Sequence, residues 1–304
     1  MLDTINRFFD SDIWWSFKRS PLTVVAAVLA AICILGAFLS PVIAPHDPYD
    51  LTKISLTDSI LPPAWSAEGK SEYLLGTDQQ GRDILSTIMY GGRISLVVAM
   101  SAVAMSIVMG VGLGLIAGYV GGRVESLIMR IADIQLTFPA ILVALLISGI
   151  GRQFVPKDMQ DALAVYVIIF SIGLTEWPKY ARTVRGATLV EKSKEYVQAA
   201  RVIGVSSFKI MVSHVLPNVL GPVLVIATLN IANAIISEAT LSFLGVGMPP
   251  TQPSLGTLIS DGQNYLLAGQ WWITLFPGIA LIVMVISVNL VGDWLRDALN
   301  PKLR

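Results

Sequence analysis

Charge is scarce in this sequence. Only 14% of its 304 residues are Asp, Glu, Lys or Arg, against about 25% in soluble domains. The shortfall comes from long uncharged runs, which excludes an ordinary soluble domain. Lys plus Arg total 21 and Asp plus Glu total 21, a formal net charge of zero, so no nucleic acid is expected as a partner. Cysteine is nearly absent. The one present, Cys33, lies in an apolar run, can form no internal disulfide and fits no metal-ligand spacing. It reads as a small buried hydrophobe. Histidine is limited to His46 and His214, neither with a ligand set nearby, so a metal site is not expected. No H-E-x-x-H, G-x-S-x-G or C-x-x-C string occurs, which removes those constellations for catalysis.

What is plentiful is hydrophobic sequence: 54% of residues, with a mean hydropathy of +0.68. Residues 22–44, 94–122, 134–151, 215–237 and 262–292 carry no charge. A spanning helix needs about 20 apolar residues. The shorter stretch 162–175, with Trp177 and Pro178 at its end, can still cross. The expectation is an all-α integral membrane protein with six transmembrane helices, at 22–44, 94–118, 132–151, 160–178, 219–240 and 272–292. Run 22–44 has 23 positions, longer than the roughly 7–15 of a signal-peptide core. It reads as an uncleaved first helix.

Six spans put both termini on one side. That side receives Arg7, Lys18, Arg19, Arg123, Arg130, Lys179, Arg182, Arg185, Lys192, Lys194, Arg201, Lys209, Arg296, Lys302 and Arg304. The other receives Lys53, Lys70, Arg82, Arg93, Arg152 and Lys157. Positive charge stays inside, so N and C termini are expected in the cytoplasm. The organisation follows: a cytoplasmic segment 1–21, the first helix 22–44, and an outer loop 45–93. A core region 94–292 then contains a cytoplasmic loop 179–218, and a cytoplasmic tail 293–304 ends the chain. The outer connections 45–93 and 241–271 are rich in proline, which breaks helices.

The 179–218 loop is the most informative segment. It contains Gln198-Ala199-Ala200, Gly204 and, at its end, Leu216-Pro217. Glycine permits the left-handed backbone that ends one helix and redirects the chain, and Pro217 suits a first helical turn. Ala199 and Ala200 leave room for another protein to approach. This pattern resembles the EAA loop of ABC importer permeases, with Gln198 standing where the family has an acid. The resemblance implies a coupling helix formed by Gln198, Ala199, Ala200, Gly204, Leu216 and Pro217, seated in a cleft of a cytoplasmic ATPase.

A second resemblance covers nearly the whole chain. Leu75-Gly76-Thr77-Asp78, Gly81-Arg82-Asp83 and Gly91-Gly92-Arg93-Ile94-Ser95-Leu96 are similar to the signature of the dipeptide/oligopeptide/nickel permease family. Glu238 to Gly245 match as well, and Gly292 to Pro301 resemble the ending of its C-type subunit. The resemblance implies the type I ABC importer permease (MetI-like) fold in a bacterial inner membrane. It implies a homologous second permease subunit, two ATPase subunits below that use ATP and Mg, and a periplasmic substrate-binding protein outside. This chain would bind no cofactor and would be no enzyme. Short peptides are the implied substrate, with nickel, glutathione, opines and other small solutes left open. The rival classes are a membrane enzyme, for which intramembrane His, Asp or Glu clusters are missing, and an autonomous channel, which needs no docking loop.

Other residues are weighed individually. Ala64 to Ser71 fit a relaxed P-loop, but Pro62-Pro63 precede them and the segment is expected outside, so the string reads as chance. Ala102, Ser106, Gly110, Gly114, Gly118 and Gly122 recur every fourth residue, a spacing for close helix packing. Asn230, Asn233 and Glu238 share one span. Intramembrane polar groups are candidates for a substrate path, and structural hydrogen bonding is the competing reading.

Overall fold

The computed structural model of the chain describes residues 17–50, 52, 54–156 and 159–299. Arg7, Lys53, Lys157, Asn300, Pro301, Lys302 and Arg304, and most of segment 1–21, lie outside the described residues. The main helices are α1 (Pro21–Phe38), α2 (Ile84–Val120), α3 (Gly122–Thr137), α4 (Ala140–Phe154), α5 (Gln160–Glu191) and α6 (Glu195–Val202). They continue with α7 (Ser207–Phe243), α8 (Leu255–Leu266) and α9 (Trp272–Leu299). Among the described residues the one β pairing is an isolated bridge between Thr77 and Asp83. The fold is all-helical.

Five helices are long and apolar enough to cross a membrane: α1, α2, α5, α7 and α9. The bent pair α3–α4 makes a sixth when taken as one broken span. This corrects the straight third span at 132–151. The chain bends there by 98°, because Pro139 offers no N–H and forces Phe138 into an extended conformation at φ −89°, ψ 142°.

Other boundaries also move. The second span was expected from residue 94, with 84–93 in the outer loop; α2 instead begins at Ile84. Asp83 caps it, accepting from the Ser86 N–H at 2.8 Å. At 37 residues it reaches about 55 Å at 1.5 Å per residue, well beyond a hydrocarbon core of roughly 30 Å. The fourth span was expected to stop at Pro178, with a loop from 179. Instead α5 runs through Pro178 to Glu191. Pro178 leaves the Leu174 carbonyl without its helical donor. The Gln135 amide of α3 supplies one, donating to Leu174 O at 2.5 Å and Thr175 O at 3.2 Å. Its own oxygen accepts from the Trp177 indole at 3.0 Å.

The α2–α5 pairing forms the centre of the subunit. A Cβ on Gly110 would sit 2.4 Å from Tyr180 Cβ, on Gly114 2.5 Å from Ala181 O, and on Gly118 2.7 Å from Thr188 Cβ. Backbones this close exclude any side chain. Ser106 extends the same stripe, donating to Gly173 O of α5 at 3.0 Å. Gly122 departs from the series: a Cβ there meets nothing within 4 Å, and its φ of +59° places it in the turn into α3.

Around this pair lie two larger cores and smaller clusters. One gathers Leu96, Ala99 and Ala102 of α2 with Ile168, Ile172, Ile235, Leu241 and Leu255. The other joins Val111 and Leu115 of α2 to Tyr180, Val184, Val197, Ala200, Ile210, Val215 and Val219. The second core fastens the α5–α7 connection to the bundle.

Candidate functional site

The connection between α5 and α7 is the best-defined site. Helix α6 ends at Val202 with Ile203 as its C-cap, and Gly204 follows with φ +82°. The Gly204 N–H donates to Arg201 O at 3.1 Å and the Val205 N–H to Ala200 O at 3.0 Å. These two bonds make a Schellman stop, which takes up orphan carbonyls and turns the chain. The chain re-enters helix at Ser207 and passes through a π-helical turn, Met211–Val215, before Pro217. Asn218 Nδ2 donates to His214 O at 2.7 Å beside that turn, and to the Tyr196 hydroxyl at 3.0 Å. The hydroxyl of Tyr196 in turn donates to Glu191. Burial and that bond push the Tyr196 phenol up, keeping it a donor.

The two faces of this segment differ. Val197, Ala200, Ile210 and Val215 point into the subunit. Gln198, Ala199, Arg201 and Pro217 are exposed. Val202, Ile203 and Phe208 are 87%, 78% and 72% exposed, an apolar patch at the turn. The expectation that Ala200 clears space for a partner is corrected. Ala200 packs inside, where a larger side chain would collide with this subunit's own core, and Leu216 is half-buried beside it. Val202, Ile203 and Phe208 were missed by sequence reasoning. For Val202, its spacing from inward-facing Val197 and Ala200 on a 3.6-residue helix is the signal that could have found it; Ile203 and Phe208 flank the Gly204 break, beyond that periodicity. Gln198 donates to Lys192 O at 3.1 Å, a bond that a glutamate could not make.

The candidate path residues divide. Glu238 is 0% exposed. Its carboxylate accepts from Ser95 at 2.7 Å and from Ser242 at 2.7 Å. Those serines also accept the Leu255 and Met248 N–H groups at 3.4 and 3.0 Å. Of the two readings of Glu238, these bonds favour structural hydrogen bonding: it forms a clasp joining α2, α7 and the start of α8. Asn230 is buried, and Asn233 lies exposed on the outer face of α7.

The P-loop-like string, residues 64–71, forms turns and no strand-to-helix junction. Lys70 pairs with Asp58, whose hydrogen bond raises its pKa. No group of three or more His, Cys, Asp or Glu suited to a metal occurs among the described residues.

Comparison with known proteins agrees with this geometry. Residues 110–304 match the family described as binding-protein-dependent transport system inner membrane component. Residues 9–63 match the N-terminal TM domain of oligopeptide transport permease C. The chain is 39% identical over 293 residues to the dipeptide transport system permease protein DppC of Haemophilus influenzae, covering 96% of this chain and 95% of that one. It is 42% identical to DppC of Escherichia coli, over 96% and 93% of the two chains. It is 36% identical to the di/tripeptide permease DppC of Pseudomonas aeruginosa, over 96% and 92%. A chain of the inward-facing MetNI methionine ABC transporter shares the fold at a TM-score of 0.53, with 19% identity over 70% of this chain and 96% of that one.

Proposed function

This chain belongs to the binding-protein-dependent transport inner membrane component family, as a C-type permease subunit of an ABC importer, and on that premise we propose that it carries dipeptides and short oligopeptides inward across a bacterial inner membrane. It is a permease and no enzyme; ATP is hydrolysed on separate subunits. Its partners in this reading are a homologous second permease, two cytoplasmic ATPases that use ATP and Mg, and a periplasmic binding protein that delivers substrate. The identities of relatives whose names specify dipeptides or di/tripeptides support that substrate class. Both termini face the cytoplasm, as the charge distribution favours.

The observation that carries the mechanism is the apolar patch at the α6–α7 turn. Val202, Ile203 and Phe208 stand in solvent on a segment whose opposite face is bolted into the α2–α5–α7 core. A partner that covers the patch and moves would push on that core as a rigid body. Closure of the ATPases would therefore switch access from one side of the membrane to the other. Gln198, Ala199, Gly204 and Pro217 are the contact and bend residues in this reading, and Ala200 and Leu216 anchor the segment from inside.

The test is uptake. The complete importer in proteoliposomes, supplied with its binding protein and internal ATP, should accumulate a labelled dipeptide. Excess unlabelled di- and tripeptides should compete, and nickel or glutathione should not. Uptake of those solutes with none of peptide would overturn the substrate assignment.

A further inference from the structure

Arg93 belongs to the Gly91-Gly92-Arg93 signature, yet nothing described so far uses it. It lies on α2, and Val97 and Met100 follow it on the same exposed face. Among the described residues its guanidinium has neither an ion-pair partner nor a hydrogen bond. Arg82 and Arg152 contrast with it: Arg82 is tied to Asp78 at 2.6 Å, and Arg152 reaches the Gly245 and Gly247 carbonyls. An unpaired arginine on a spanning helix is a functional candidate by default.

Arg93 lines a concave recess beside α2, of about 580 Å³. That lies within the roughly 300–1,000 Å³ of small-molecule sites. The other walls come from segments far apart in sequence: Tyr49 of the outer loop, Tyr90 and Val97 of α2, Val165 of α5 and Gln252 before α8. Tyr49 and Tyr90 meet edge to face, with centroids 5.3 Å apart. Burial pushes the Tyr49 phenol up to about 12, so it keeps its proton and can donate. The lining therefore offers one cation, two phenols and an amide, and no carboxylate. The nearest acid bearing on the tyrosines, Asp47, accepts the Tyr49 N–H at 2.9 Å and is exposed beyond the lining. The remaining wall is aliphatic.

We propose that this recess is a substrate subsite in which Arg93 receives the terminal carboxylate of a peptide in transit while Tyr49, Tyr90 and Val97 contact its side chains. The inference rests on the peptide-import reading above. A guanidinium pairs with a carboxylate by two parallel N–H bonds, and an apolar recess strengthens that pairing relative to open water. A recess of this volume, with aliphatic walls around one cation, suits a small anionic solute.

The test uses the complete importer in proteoliposomes, with the binding protein saturated by a labelled dipeptide or by its C-terminal amide, which cancels the binding protein's own preference. Wild type should move the free acid about tenfold faster than the amide, the scale of a charged hydrogen bond. Arg93→Gln should bring that ratio close to one, and Arg93→Lys should keep part of it; assembly is checked by size exclusion. An unchanged ratio in Arg93→Gln overturns the subsite while leaving peptide import standing. Equal slowing of both forms, with more binding protein needed to half-saturate ATP hydrolysis, assigns Arg93 to contact with the binding protein and also overturns it. Wild type that moves neither peptide refutes the import reading and the subsite together.

Discussion

The outer end of the subunit and its α5–α7 connection are built on opposite plans. At the outer end, several charged and polar groups are turned inward and tied to partners. Arg82 is buried against Asp78, which also caps the Gln80 and Arg82 N–H groups. Asp83 caps α2, and Glu238 is clasped by Ser95 and Ser242. At the connection, apolar groups are turned outward and left uncovered at Val202, Ile203 and Phe208. Buried paired charge specifies a single arrangement, at a desolvation cost that apolar packing would not carry. In the reading proposed above, exposed apolar surface of this kind is where the partner sits. In that reading, one end is scaffold and the other is half of an interface.

The contrast can be broken from either side. The largest stability change is expected outside. Arg82→Ala strands the Asp78 carboxylate in a buried site, and losing one partner of such a pair costs about 3–5 kcal/mol. Thermal unfolding in detergent should show a clear drop in midpoint; a midpoint equal to wild type would mean that the outer end does not depend on this pair. Gln198→Glu should be far milder. It loses the bond to Lys192 O, worth about 1 kcal/mol, while restoring the acid that the EAA pattern carries. ATPase copurification should persist with a slightly lower midpoint, and full loss of the ATPase would give Gln198 a specific contact. Lys70→Ala should change least. It removes an exposed pair with Asp58 from a string that forms no phosphate cradle, so transport and ATP hydrolysis should match wild type. A drop in nucleotide affinity with intact assembly would revive the P-loop reading.

Much of the membrane architecture was legible, because long uncharged runs and loop charge obey bilayer physics. The breaks were not. Pro139 and Pro178 look alike in sequence, yet one bends the chain by 98° and the other sits inside a helix. The difference is Gln135, forty residues away from the carbonyls it rescues, a partner that no local window reveals. The loop's bend at Gly204 was legible because few residues tolerate φ +82°. Which face of α6 looks outward was not read, so Ala200 was assigned to the partner side and Val202 was overlooked. Glu238 was correctly singled out as unusual, but its serine partners come from α2 and from its own last turn, which tertiary packing alone brings together. The Arg93 recess is assembled from four separate segments and left no local trace beyond the signature itself.

The central claim is that the apolar patch at the α6–α7 turn is the seat of the ATPase. The most direct measurement is copurification of the ATPase subunits with a Val202→Asp, Phe208→Asp variant of this chain in mild detergent, alongside substrate-stimulated ATP hydrolysis. Both side chains are exposed, so the variant should fold, insert and pair with the second permease as wild type does. The account predicts that the second permease copurifies in full while the ATPase is lost and stimulation disappears. Full ATPase recovery with normal stimulation would contradict it.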